Sequence, residues 1–354
     1  MSVKVPIPNR IANLPTYIPG ARPPTGQRAY KLSSNESPFP PLASVMAALA
    51  DTATEANRYP EIFSESLTAA LAQHYGLASD QVLVGNGSEA LIEHVIRTFA
   101  GPGEQVVYAW RSFEAYPIAV QLAGAASLQV PLDDQFSHDL TALAAAITAQ
   151  TRICLLCSPN NPTGPALSTQ QVQHFLSAVP PQVLVILDEA YIEYVTEPAA
   201  ANGLDFLDEF PNLVVLRTFS KAYGLAGLRC GYLLGRPKLV SALRAAYTPF
   251  AVNAGAQHAA LVALGAQDEM RQRVAKTVEG RNYLSQRLRQ QGWSIPDSQA
   301  NFVYLPCGGD AVALAQASAS AGVIVRPFDG CGVRVTIGEP DALDIFANVA
   351  ASWV

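Results

Sequence analysis

The chain has 354 residues, 49% of them hydrophobic and only 15% charged, enough to build a large core as one big domain or two of ordinary size. A net charge of -6 and a pI near 5.4 argue against the basic face that nucleic-acid binding needs. The opening stretch MSVKVPIPNRIANLPTYIPG lacks the apolar core of a signal peptide, and no apolar run reaches the roughly 18–20 residues that span a bilayer. With five scattered cysteines read as reduced thiols, the expectation is a cytoplasmic protein with no nucleic-acid or membrane partner.

Residues 1–44 are proline-rich and aperiodic and are expected to form an extended arm that belongs to the smaller, C-terminal unit. SESLTAALAQHYG then places Leu67, Leu71 and Tyr75 on one helical face and stops at Gly76. QVLV is a short strand. It is followed by GNGSEALIEHVIRTFAGPG, a helix burying Ile92, Val95, Ile96 and Phe99. EQVVYA, RICLLC, QVLVILDE and NLVVLRTF are further β-rich runs with helical stretches between them. Among those stretches, STQQVQHFL sets Ser168 and Gln171 in capping-box spacing. This alternation predicts an α/β fold with a mainly parallel central sheet over 45–245. After about 245 come long helices (255–291) and the short strands ANFVYLP, GVIVRPF and GVRVTIG, which predict a smaller α+β unit over 246–354.

Several segments carry chemistry. VGNGSEAL (84–91) is a strand–turn–helix of small residues that bares backbone N–H groups where phosphate binds well; a plain tight turn is the alternative. Cys154 and Cys157 form a C-x-x-C, but its central leucines sit in a strand pattern and no second ligand pair follows. SPNNPTG (158–164) is a rigid polar turn at a strand end, where α/β sheets bind ligands. VLVILDEAY (183–191) ends an apolar strand in two carboxylates. A Walker B role would need a Gly-Lys dipeptide, and the chain has none. TFSKAYGLAGLRCG (218–231) places Lys221, one of only five lysines, and Arg229 among small and apolar residues. A desolvated lysine near other cations has a lowered pKa and a nucleophilic amine able to form a Schiff base. Ser220 and Arg229 could hold an anion beside it. Together with a carboxylate at a strand end, these are the groups that pyridoxal phosphate requires. The five histidines (74, 94, 138, 174, 258) show no metal-ligand spacing, and no metal site is expected.

The motifs RYP, GNGSE, SPNNPTG, DEAY, TFSKAYGLAGLR and SQANFVYLP occur here in one order, between KLSSNESPFP and GVRVTIG. In this the sequence resembles the fold-type-I pyridoxal-phosphate aminotransferases of the histidinol-phosphate aminotransferase family. WRSFEAYP and RTFSKAYGLAGLR look most like the actinobacterial aromatic (phenylalanine) branch. The resemblance implies that Lys221 is the Schiff-base lysine and proton shuttle, and that Asp188 pairs with the pyridine nitrogen. It implies that Tyr191 and Asn161 bond the 3-oxygen, and that Phe113 stands where an aromatic stacks on the ring. Ser88, Glu89 through its backbone N–H, Ser220 and Arg229 would bind the phosphate. Tyr59 would reach the cofactor of a neighbouring subunit in a homodimer. Arg334 would clamp the substrate carboxylate, with Arg326, Tyr17 and Asn35 lining the substrate pocket. The implied reaction is ping-pong transfer from an aromatic amino acid to a 2-oxo acid, 2-oxoglutarate, with histidinol phosphate as the alternative donor. A decarboxylase or β-lyase on the same scaffold and a non-catalytic regulatory domain are the contenders of other classes. Tyr116 reads as plain core.

Overall fold

The computed structural model describes residues 5–15, 20–21 and 29–354. A short strand β1 (Tyr30–Lys31) precedes the central sheet, which takes the next seven: β2 (Val82–Gly85), β3 (Gln105–Trp110), β4 (Ala126–Pro131), β5 (Thr151–Cys157), β6 (Leu184–Asp188), β7 (Leu213–Thr218) and β8 (Gly231–Gly235). Their spatial order is β2-β8-β7-β6-β5-β3-β4. Strands β4, β3, β5, β6 and β7 run parallel, and β8 lies antiparallel between β7 and β2. This is the mainly parallel α/β sheet expected. Strands β4 and β8 are not evident in the sequence. β4 is largely exposed and weakly apolar, and β8 begins inside the glycine-rich stretch that reads as turn.

The inner strands read as unbroken apolar runs because helices cover both sheet faces. Alternate residues go to opposite sides. Val185 and Leu187 join one cluster with the helices Glu65–Tyr75, Thr169–Ala178 and Ala254–Gly265. Leu184 and Ile186 join the other with Ser88–Phe99, Ala115–Ala123 and Pro237–Ala246. The same alternation sends Cys154 and Cys157 to opposite faces, so the C-x-x-C cannot bring its sulfurs together. Both thiols are buried, and burial pushes each up to about 12. Helix ends follow their signals. Gly76 closes its helix at φ 68°, and Ser168 and Gln171 exchange capping-box hydrogen bonds of 3.2 and 2.8 Å.

The smaller unit has an antiparallel sheet of β9 (Phe302–Leu305), β11 (Arg326–Phe328) and β12 (Gly332–Thr336) in the order β11-β12-β9, plus β10 (Val323–Ile324) paired with β1. Its core takes Leu284 and Leu288, Leu314, and Phe346 from the helices Gln267–Gln290, Ala311–Ser320 and Pro340–Ala350. Leu32, just after β1, is buried in the same core, which ties the N-terminal segment to this unit. The core beneath the central sheet continues through Ala256, Ala260 and Met270, beyond the boundary expected at residue 245. Among the described residues no helix is long and apolar enough to cross a membrane.

Of the two carboxylates ending β6, only one is available to a ligand. Glu189 accepts from Arg217 Nε at 2.9 Å and from the Gly203 amide at 2.6 Å, in a fully buried ion pair. Removing one partner strands the other charge. Arg217→Met should therefore lower stability by roughly 3–5 kcal/mol in denaturant unfolding. Adding Glu189→Gln should recover a substantial part of the loss.

Candidate active site

The cleft lies beyond the carboxyl ends of β3, β5, β6 and β7, where an open α/β sheet offers its ligand crevice. The smaller unit closes it from the opposite side through β11 and β12.

Lys221 stands three residues past β7 on a chain that turns sharply, with Gly224 at φ 72°. Its Nζ lies 3.5 Å from the Ser34 carbonyl and 5.7 Å from the Tyr191 ring centre. Burial first, then Arg334 and Arg229, lower its pKa from 10.5 to about 8. Its neutral, nucleophilic form is therefore far more populated near physiological pH than that of an ordinary lysine.

Asp188 ends β6, one strand over from β7. It is buried, and desolvation raises its pKa from 3.8 to about 6. Two donors support the charged form: Tyr116 Oη at 2.7 Å and the Ala190 amide at 3.2 Å. No cation lies within ion-pair distance of it among the described residues. A buried carboxylate facing a cleft without a counter-ion suits a cationic ring nitrogen. Tyr116 is thus more than core. Its place three residues after Phe113, on a helix that follows a strand end, is the signal that could have found it. The two rings meet edge to face at 5.6 Å.

The helix Ser88–Phe99 has no side-chain cap at Gly87, so its first N–H groups are turned to the cleft unsatisfied by the helix itself. Two glycines make room here. A Cβ on Gly87 (φ 86°) would lie 2.6 Å from the Arg229 guanidinium, and one on Gly231 would lie 2.5 Å from the Ser88 amide. Arg229 itself adopts a left-handed φ of 57°, which brings its side chain back over the turn. Ser220 Oγ accepts from Thr218 Oγ1 at 3.0 Å. Amides, a hydroxyl and a guanidinium around one space are a phosphate donor set. Glu89 adds its amide to this set. Its carboxylate stands 3.8 Å from Arg229.

The polar turn 158–164 divides its work. Asn160 is inward: Oδ1 accepts from Ser112 at 2.8 Å, and Nδ2 donates to Thr163 at 2.8 Å and to the Arg111 carbonyl at 3.1 Å. Asn161 faces the cleft, and its Oδ1 accepts from Arg334, leaving its amide hydrogens to a ligand. Arg334 also donates to the Ser33 carbonyl at 2.8 Å. Tyr191 Oη accepts from Asn35 Nδ2 at 2.9 Å, and Asn35 Oδ1 accepts from Thr336 of β12 at 3.0 Å. Arg326 reaches Glu114 at 2.7 Å, a contact that the sequence did not suggest.

Ser88, Glu89, Phe113, Asn161, Asp188, Tyr191, Ser220, Lys221, Arg229, Asn35, Arg326 and Arg334 therefore line one cleft. Tyr59 does not. It is 84% exposed and stacks on Phe250 with centroids 4.8 Å apart. Tyr17 lies outside the described residues. His138 is buried against Asn160, and burial lowers its pKa to about 4.

An amine tuned toward neutrality, a buried carboxylate and an anion cradle thus meet at one sheet edge. The chain belongs to the class I and II aminotransferases, whose family model matches residues 28–349. The aromatic amino acid aminotransferase of Thermobifida fusca is 50% identical over 96% of this chain and 95% of that protein. The protein of the same name from Streptomyces coelicolor is 48% identical over 97% and 96%. Histidinol-phosphate aminotransferase from Sinorhizobium meliloti, solved with pyridoxal-5'-phosphate, superposes with a TM-score of 0.89 at 28% identity over 100% of both chains. The fold is thus the fold-type-I aminotransferase architecture.

The cradle makes a direct prediction. Gly87→Ala forces the Arg229 guanidinium aside at a residue that already strains any side chain. Inorganic phosphate, followed by calorimetry on the apoprotein, should bind about tenfold or more weakly, a loss of roughly 1.4 kcal/mol.

Proposed function

We propose that the protein uses pyridoxal 5'-phosphate to move the amino group of an aromatic amino acid to 2-oxoglutarate. The observation that carries the proposal is the meeting of Lys221, Asp188 and the Ser88–Ser220–Arg229 cradle in one cleft. The donor set fits the cofactor end to end. Lys221 would take the aldehyde, Asp188 the ring nitrogen, Asn161 and Tyr191 the 3-oxygen, and the cradle the phosphate. Phe113 would lie against the ring. Bound pyridoxal phosphate supplies an aldehyde for the amine nitrogen and a ring that draws electrons from the substrate's α-carbon.

The chain's own residues do the rest. Lys221 Nζ would act as the general base that takes the proton from the substrate's α-carbon and, once protonated, as the general acid that gives it back, a dual role suited to an amine lowered to about 8. Asp188 keeps the ring nitrogen protonated, and Tyr116 holds the carboxylate in place. Arg334 orients the substrate through its α-carboxylate. The first product leaves before the 2-oxo acid binds, which gives ping-pong kinetics. The proposal includes a homodimer in which Tyr59 would reach the neighbouring subunit's phosphate site, a reading supported by its exposure beside Phe250.

The aromatic donor is supported by relatives bearing that name at about half identity over nearly the whole chain. A second reading, histidinol phosphate, draws on the adjacent Arg326 and Arg334 and on the Sinorhizobium neighbour. The purified holoenzyme should show a pyridoxal absorbance band that Lys221→Ala abolishes or moves, with loss of activity. Its kcat/KM should favour phenylalanine over histidinol phosphate. The opposite preference would overturn the aromatic assignment while leaving the cofactor chemistry in place.

A further inference from the structure

Arg326 and Arg334 are direct cross-strand partners on β11 and β12, so two guanidinium groups emerge side by side on one face of a small sheet. Like charges so placed destabilise a sheet unless each is answered. Arg334 is answered by Asn161 and the Ser33 carbonyl, at the end where the proposed function places the α-carboxylate. Arg326 is answered differently. A full carboxylate, Glu114, meets its NH2 group at 2.7 Å. The partner comes from 212 residues away, so the ion pair joins the large unit to the small one across the cleft. The Arg326 side chain is 9% exposed, whereas that of Glu114 is 30% exposed, at the cap position before the helix Ala115–Ala123. Glu114 also follows Phe113, and the Phe328 ring centre lies 5.5 Å from the Arg326 guanidinium. The wall beyond Arg334 is therefore aromatic and, with Arg326 matched by Glu114, close to charge-neutral.

We infer that Glu114 is a specificity-determining residue, a built-in counter-ion that holds Arg326 when the bound side chain is neutral and must yield it to a partner with a distal anion. The inference rests on the aminotransferase reading for the direction in which the substrate lies. A neutral ring enters with the Glu114–Arg326 pair intact. A distal carboxylate or phosphate that takes the Arg326 NH2 donor displaces the Glu114 carboxylate, which swings from the cleft rim into water still charged. Arg326 exchanges one anionic partner for another and is never left buried with a bare charge, the costly outcome. The pair thus tilts the site toward neutral side chains through a competing anion, while 2-oxoglutarate can still displace Glu114 to use Arg326 in the second half of the reaction.

The test uses the holoenzyme and two probes: glutarate, which has a distal carboxylate, and 3-phenylpropionate, which has a neutral ring. Calorimetric Kd values are measured for wild type, Glu114→Gln and Glu114→Ala. The binding preference should shift toward glutarate by at least about tenfold in both variants, the equivalent of roughly 1.4 kcal/mol. The kcat/KM for glutamate relative to phenylalanine should rise in step. Glu114→Gln keeps the side chain's shape, and an unaltered cofactor spectrum certifies its fold. A preference shifted by less than about threefold in a variant with that spectrum, or shifted toward phenylpropionate, would overturn the inference. Wild-type enzyme that fails to transaminate phenylalanine would instead sink the proposed donor and leave the glutarate comparison standing.

Discussion

The rest of the site depends on one constraint: a carboxylate and an amine are buried at neighbouring strand ends without being paired to each other. Asp188 ends β6, and Lys221 follows β7. Had the chain let them meet, each would have neutralised the other and neither would be available to a ligand. Instead Asp188 is braced by Tyr116 and a backbone amide, and Lys221 is left near a carbonyl and two arginines. Burial then pushes both toward their neutral forms, the carboxylate upward and the amine downward. The fold carries this stress until something enters that wants both groups. For Lys221 the sign is clear: its folded pKa lies below the unfolded one, so its burial weakens the fold below about pH 8. That penalty fades as pH rises toward 10.5.

The surrounding architecture follows from keeping the two groups apart and dry. The parallel strands place their carboxyl ends in a row, so β5, β6 and β7 deliver Asn161, Asp188 and Lys221 to one edge. The antiparallel β8 brings Gly231 under the start of the helix Ser88–Phe99, and the missing Cβ lets the two backbones touch there. The smaller unit completes the cleft through Asn35, Arg326 and Arg334, each tied to a residue near the sheet edge: Tyr191, Glu114 and Asn161. Those cross-links are polar, so substrate and solvent can compete for them.

Much of this was legible in the sequence. The central strands β2, β3, β5, β6 and β7 stood out because both of their faces are buried and their apolar runs are unbroken. Lys221 stood out because lysine is rare in this chain and its neighbours are small. What stayed hidden depended on distance along the chain. Glu114 looks like an ordinary helix-start carboxylate until β11 sets Arg326 beside it. Tyr116 looks like core because its ring is core, and only its hydroxyl reaches Asp188. Strand β8 was missed because turn glycines open and close it. Asn160 and Asn161 are alike in sequence, and only the backbone path turns one inward and the other to the cleft.

The most direct measurement is the titration of Lys221 in the cofactor-free protein. With five lysines in the chain, labelled side-chain amines can be resolved by NMR, and the Lys221 signal identified by its loss in Lys221→Arg. The account predicts a midpoint near 8. A midpoint at the ordinary lysine value of 10.5 would mean that the amine is neither desolvated nor pressed by its neighbouring arginines, and would contradict it.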